Sequence, residues 1–152
     1  MRSAPACIFC QIIVGAAPAS HVAATDRAIA FMDIRPWRRG HLLVVPRVHG
    51  QRVGDHAAPD LTAVFALATQ LDAAVRASGI PCDDVNLLVN DGPAAGQTVF
   101  HLHVHVVPRV RGDLWRAVAI GPRRLFPPAA RAQLDRDARL IAAAAAPAAQ
   151  SV

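Results

Sequence analysis

Apolar residues follow a strand-like pattern in some stretches of the chain and a helical one in others. Ala28–Met32 and His41–Val45 are short apolar runs, separated by the turn-rich stretch Asp33–Gly40 with Pro36 and Gly40. They predict two strands joined as a hairpin with a long connection. From about Pro59 to Ser78, Leu61, Val64, Phe65, Ala68, Leu71 and Val75 recur at helical spacing and predict one apolar helix face. Pro59 near the start and Gly79 just past the end match the usual asymmetry of helix termini. Val85–Asn90 and Val99–Val107 read as two more strands, joined by Asp91-Gly-Pro-Ala-Ala-Gly-Gln. Residues 7–14 suit a short helical turn, and Arg131–Ala146 a C-terminal helix. This order predicts an α+β fold, an antiparallel sheet with helices packed on it. One domain over residues 1–146 is expected, with 147–152 a disordered alanine-rich tail.

Composition adds limits. Hydrophobic residues make up 53% of the 152, enough for one buried core, though much of that is alanine. All 16 basic residues are Arg and all 11 acidic ones are Asp. The net charge of +5 favours anionic ligands. Arg35, Arg38 and Arg39 flank Trp37, which raises nucleic-acid contact; with no larger basic stripe, a solvated arginine surface is the preferred reading, and no nucleic-acid partner is expected. No apolar run is long enough for a membrane helix or a signal peptide, so no membrane partner is expected. Three cysteines argue against a disulfide framework and for a reducing cytoplasm.

The chemistry concentrates in His101-Leu102-His103-Val104-His105-Val106-Val107-Pro108. On a strand, the three histidines share one face and Leu102, Val104 and Val106 the other. The apolar face would seal the core and leave an outward-looking imidazole row, spaced by about 6.5–7 Å and ending at Pro108. Three readings compete: a solvated polar face, a zinc site using imidazole nitrogens, or nucleophilic catalysis by one histidine assisted by the others. The preceding loop, Asn90 to Thr98, contains Gly92 and Gly96, which permit backbone shapes that aim N–H groups at one point. With donors from Gln97 and Thr98 it suits phosphate oxygens.

At these residues the chain resembles the histidine triad family of nucleotide hydrolases and transferases, in its bacterial Hint-like branch. The likeness rests on Cys7-Ile8-Phe9-Cys10 with Ile12, Ile13 and Gly15, on Phe31 to Pro36 leading into Gly40 to Pro46, and on Asn90 to Pro108. It implies a HIT-like antiparallel sheet with one long helix, a short N-terminal helix and a C-terminal helix. It further implies His103 as the nucleophile and His105 as a hydrogen-bond donor to phosphate or leaving group. His101 completes the row, and His41 is a fourth, supporting histidine. Gln97 and Thr98, with Gly96 and Asn90, would serve the phosphate, Asp33 the ribose hydroxyls, and Phe31 and Ile34 the base. Each has a plainer reading as a core or turn residue. Some bacterial relatives pair an N-terminal Cys-x-x-Cys with two distant histidines around a structural zinc; the matching positions are Cys7, Cys10, His49 and His101. Family members are commonly homodimers whose sheets join.

The expected activity is hydrolysis of a substituted purine nucleoside monophosphate of phosphoramidate type, through a nucleotidyl-histidine. A purine nucleotide is the partner molecule and no Mg²⁺ requirement is expected, since neither a Walker motif nor a tight carboxylate cluster occurs. Dinucleoside polyphosphate hydrolysis is the closest rival. A non-catalytic nucleotide-binding or zinc-stabilised interaction protein, and a metalloenzyme with catalytic zinc on the histidine row, are rivals of other classes.

Overall fold

The computed structural model describes residues 4–113 and 127–145. The suggested tail at 147–152 lies outside them. The chain runs α1 (Ile8–Ile13), β1 (His21–Ala24), β2 (Ala28–Met32), β3 (Leu42–Pro46), α2 (Ala58–Ala77), β4 (Asp84–Val89), β5 (Val104–Arg109) and α3 (Arg131–Ala145). The five strands form one antiparallel sheet in the order β1-β2-β3-β5-β4.

Alternation divides the sheet into two faces. Ala28, Ala30, Met32, Leu42, Val44, Val104 and Val106 turn to one side and meet Val64, Leu67, Leu71 and Val75 of α2 and Leu134 and Ile141 of α3. Ile29, Phe31, Leu43 and Val45 turn to the other side, where a smaller core closes against Phe9 and Ile12 of α1. The α2 stripe is centred on Val64, Leu67, Leu71 and Val75. Phe65, read above as part of it, is exposed, because it lies ~100° round the helix from Val64.

Three expectations about strands need correction. β1 was not anticipated. β5 begins at Val104 rather than Val99, because the preceding backbone bonds elsewhere: Leu102 N–H donates to the Gly50 carbonyl. β5 also continues through Pro108, which pairs with Val85 of β4; β3 extends beside β5 only as far as Val106, so the missing N–H of proline costs no bond on that side.

Candidate active site and metal centre

Cross-strand register sets the floor of the site. Phe31 lies opposite Leu43, and Leu43 opposite His105, so the three stand in one row across β2, β3 and β5. They face the side with the smaller core. Along this face runs a cleft of about 490 Å³, lined by the expected Phe31, Asp33, Ile34, Thr98 and His103. Its size lies in the range of small-molecule sites. Phe9, Ile12, Leu43 and Ala17–Ala19 supply further apolar wall, with Arg35 and Arg131 as cations.

The histidine row is not an outward-looking one. His101, His103 and His105 are all buried, and only His105 belongs to the strand. His103 and His105 meet edge to face with ring centres 4.8 Å apart, closer than strand spacing implies. His101 turns instead toward the N-terminal cysteines.

Burial dictates the charge state. Loss of hydration pushes His105 down to about 3, with His103 adding to the shift. His41 is held well below the ordinary histidine value, first by burial and then by His105 and His103. Burial lowers His103 as well, against the raising effect of its bond to the His101 carbonyl. These rings are therefore neutral at pH 7, and each bond fixes a tautomer. The backbone N–H of Trp37 donates to Nδ1 of His41 at 3.1 Å. The proton of His41 then sits on Nε2, which faces Nδ1 of His105 at 3.0 Å. That leaves the His105 proton on Nε2, a buried atom with no hydrogen-bond partner among the described residues. Nδ1 of His103 donates to the carbonyl of His101 at 2.7 Å, so its Nε2 carries the lone pair. His103 in the cleft thus has a fixed lone-pair nitrogen, and His105, buried behind it, a fixed N–H donor.

Asp33 is buried, with one carboxylate oxygen accepting the Arg35 N–H at 2.9 Å and the other 3.6 Å from Nε2 of His41. Gly92 and Gly96 take positive φ, which shapes the loop between β4 and β5. Asn90 packs over Gly96, its amide nitrogen 3.9 Å from where a Cβ would stand. Gln97 departs from the expectation of a phosphate donor. Its amide oxygen accepts the Gly92 N–H at 2.9 Å and its amide nitrogen donates to the Gln51 carbonyl at 2.7 Å. This buried side chain braces the loop and does not line the cleft.

Arg38 and Arg39, part of the expected solvated arginine surface, remain partly exposed and are also ion-paired. They pair with Asp113 at 3.3 Å and Asp137 at 2.8 Å, fastening the β2–β3 loop to distant parts of the chain. The sequence reading also missed Trp37 as a site residue. Its indole stacks on His41 and His105 with centres at 5.1 and 5.3 Å. Arg131 was missed too; it bonds Ser20 Oγ at 3.1 Å from the start of α3, where no motif marks it.

Cys7, Cys10, His49 and His101 converge, with one ligand atom from each lying within 4.8 Å of all the others. Cys7 to His101, Cys10 to His49 and Cys10 to His101 are 3.4–3.7 Å apart, sulfur to nitrogen, and the two Nδ1 atoms are 3.3 Å apart. Tetrahedral zinc, with bonds near 2.3 Å to sulfur and 2.0–2.1 Å to nitrogen, requires about 3.6 and 3.3 Å. Nε2 of His101 donates to the Pro46 carbonyl at 2.9 Å, directing the Nδ1 lone pair into the cluster, as second-shell partners of zinc histidines do. Burial holds His101 at about 4, in the neutral form a metal needs. The residues fit structural zinc. Phe9, between the two cysteines, meets both His101 and His103 edge to face at 5.9 and 5.4 Å, so this cluster adjoins the histidine in the cleft.

Residues 14–112 match the model of the HIT domain, nearly two thirds of the chain. The chain belongs to the HIT domain family. Members of this family are generally nucleotide-binding hydrolases or transferases. The HIT chain is 41% identical over 107 residues to an uncharacterized HIT-like protein of Mycobacterium tuberculosis, covering 70% of this chain and 74% of that one. It is similar to a crystal structure of a Zn-bound histidine triad family protein from Mycobacterium smegmatis, with a TM-score of 0.78 and 36% identity over 92% of this chain and 93% of that one. An adenosine 5′-monophosphoramidase of Saccharomyces cerevisiae is 36% identical over 104 residues, 68% of this chain and 63% of that protein. Among the described residues no helix is long and apolar enough to cross a membrane.

Proposed function

We propose that this HIT protein hydrolyses substituted purine nucleoside monophosphates of phosphoramidate type through a nucleotide bound covalently to His103. One observation carries the reading: His103 lines the cleft with its Nδ1 proton held by the His101 carbonyl, so Nε2 is left as the lone-pair nitrogen. The base lies between Phe31 and Ile34, the ribose hydroxyls donate to Asp33, and the phosphate lies near Thr98. Nε2 of His103 attacks phosphorus. A nitrogen–phosphorus bond forms as the bond to the leaving amine breaks, and the amine departs with the electron pair and takes a proton from solvent, which the later attack of water returns. The Nε2–H of His105 donates to a phosphoryl oxygen where charge builds up. Water then attacks phosphorus, the bond to His103 breaks, and the mononucleotide leaves with the imidazole restored. One water is consumed, and no step calls for Mg²⁺.

The monophosphoramidase name of the yeast relative supports the leaving-group class. Initial rates with an adenosine phosphoramidate and with diadenosine polyphosphates test it. The phosphoramidate should be faster by about tenfold or more in kcat/KM. The reverse order would favour the polyphosphate reading, and tight binding with turnover of neither would favour a binding protein.

The reading includes a structural zinc on Cys7, Cys10, His49 and His101, which would supply only a cross-link between α1 and the two histidine segments. It also includes a homodimer. Strand β4 is a sheet edge, paired on one side with β5, and it exposes Leu87. Among the described residues no strand pairs with its other side, and an edge of this kind is a template for pairing with a second copy. Sedimentation should give a dimer for the protein and a monomer for Leu87→Arg; a monomeric wild-type protein would end this part of the reading.

A further inference from the structure

We infer that the indole of Trp37 is a positioning residue for His105. Stacked across the buried His41–His105 pair, it holds both rings in the tautomers that leave an N–H of His105 for the substrate. That this N–H meets a phosphoryl oxygen rests on the function proposed above; the tautomer claim does not.

The indole covers both partners at once. It lies at 24° to His41 and 16° to His105, nearly parallel to each, while the two imidazoles are 39° apart and bonded through Nε2 and Nδ1. A flat ring over this bond excludes water from it. Water would offer every imidazole nitrogen a donor or an acceptor and so remove the preference for one tautomer. Both imidazoles are wholly buried, in keeping with such a cover.

The loop that carries Trp37 is fastened at several points. Arg38 and Arg39, the next residues, pair with Asp113 and Asp137, and the Ile34 carbonyl accepts the Ala129 N–H at 2.9 Å. A loop so held gives the indole a fixed place over the pair. The bond to His41 Nδ1 comes from the backbone of residue 37, so it survives any side-chain change there. The contribution of the ring can therefore be measured apart from that of the backbone.

The test compares the wild type with Trp37→Phe and Trp37→Ala by long-range ¹H–¹⁵N spectra of the imidazole nitrogens, and by kcat and KM for an adenosine phosphoramidate. In the wild type and in Trp37→Phe, which keeps a flat ring, His105 should be a single Nε2–H form. Trp37→Ala should show mixed tautomers at His41 and His105, with kcat lower by about tenfold or more and KM within about twofold. Unchanged tautomers in Trp37→Ala, or a raised KM with kcat unaltered, would overturn the inference. If the wild type fails to turn over the substrate, the hydrolase reading falls, and the tautomer spectra alone still decide the role of Trp37.

Discussion

Replacing Cys10 with serine, or stripping the protein with a strong chelator, is expected to lower its melting temperature by more than about 10 °C. Helix α1 has only six residues and no side-chain cap, so it cannot hold itself together. The core beneath it is small, built on Phe9, Ile12, Ile29, Phe31, Leu43 and Val45. On the zinc reading proposed above, the link between α1 and the segments of His49 and His101 would be the four-residue cluster closed by a metal. Without the metal, Cys7 and Cys10 are a half-buried and a buried thiol, and partial burial pushes Cys7 away from the thiolate form. Bound zinc reverses that preference. Phe9 and Ile12 line the cleft, so loosening α1 should also weaken nucleotide binding. Metal analysis should find one zinc per chain, and re-addition of zinc to the stripped protein should restore the melting point. A metal-free preparation with the same melting temperature would contradict this account.

The second large effect concerns His103. His103→Asn should reduce turnover by about a thousandfold or more, because among the described residues no other imidazole nitrogen combines cleft access with an unprotonated position. The Nε2 of His105 carries a proton, and both nitrogens of His41 are occupied by Trp37 and His105. Affinity for the nucleotide should survive, since the base wall of Phe31 and Ile34 and the carboxylate of Asp33 are untouched. Single-turnover rates and calorimetric titration with a mononucleotide separate the two effects.

How much of this could be read from the chain alone varies with physical cause. Helix α2 is long and strictly periodic, so its ends were legible to within a residue. β2 and β3 stand out because each is an apolar run bounded by turn residues. β1 does not: His21–Ala24 offers one branched residue, Val22, among alanines, and it becomes a strand only by pairing with β2. The register of the His101–Pro108 segment misled for a related reason. Its alternation is that of a strand throughout, yet Gly50 draws the Leu102 backbone, and Pro46 the His101 ring, out of the sheet pattern.

Thr98 and His103 stood out from the loop composition and the histidine alternation, whereas Phe31, Asp33 and Ile34, which read equally well as core or turn residues, were nominated by the family resemblance. Trp37 and Arg131 were not nominated, and Phe9, though inside Cys7-Ile8-Phe9-Cys10, was given no role, because what brings all three in is tertiary. A stacking plate over two histidines leaves no periodic trace, and Arg131 reaches the cleft only because α3 packs across β1 and β2. Gln97 shows the converse. Its place in the loop suggested a ligand contact, while the carbonyl of Gln51, 46 residues away, claims its amide.

The central claim is that His103 becomes covalently bonded to phosphorus. Intact-protein and peptide mass spectrometry on enzyme acid-quenched milliseconds after mixing with an adenosine phosphoramidate tests it most directly. The account predicts an adenylyl mass increment, localised to the peptide bearing His103, that decays as product forms and is absent from His103→Asn. Steady turnover with no increment at any time, or an increment that persists in His103→Asn, would contradict it.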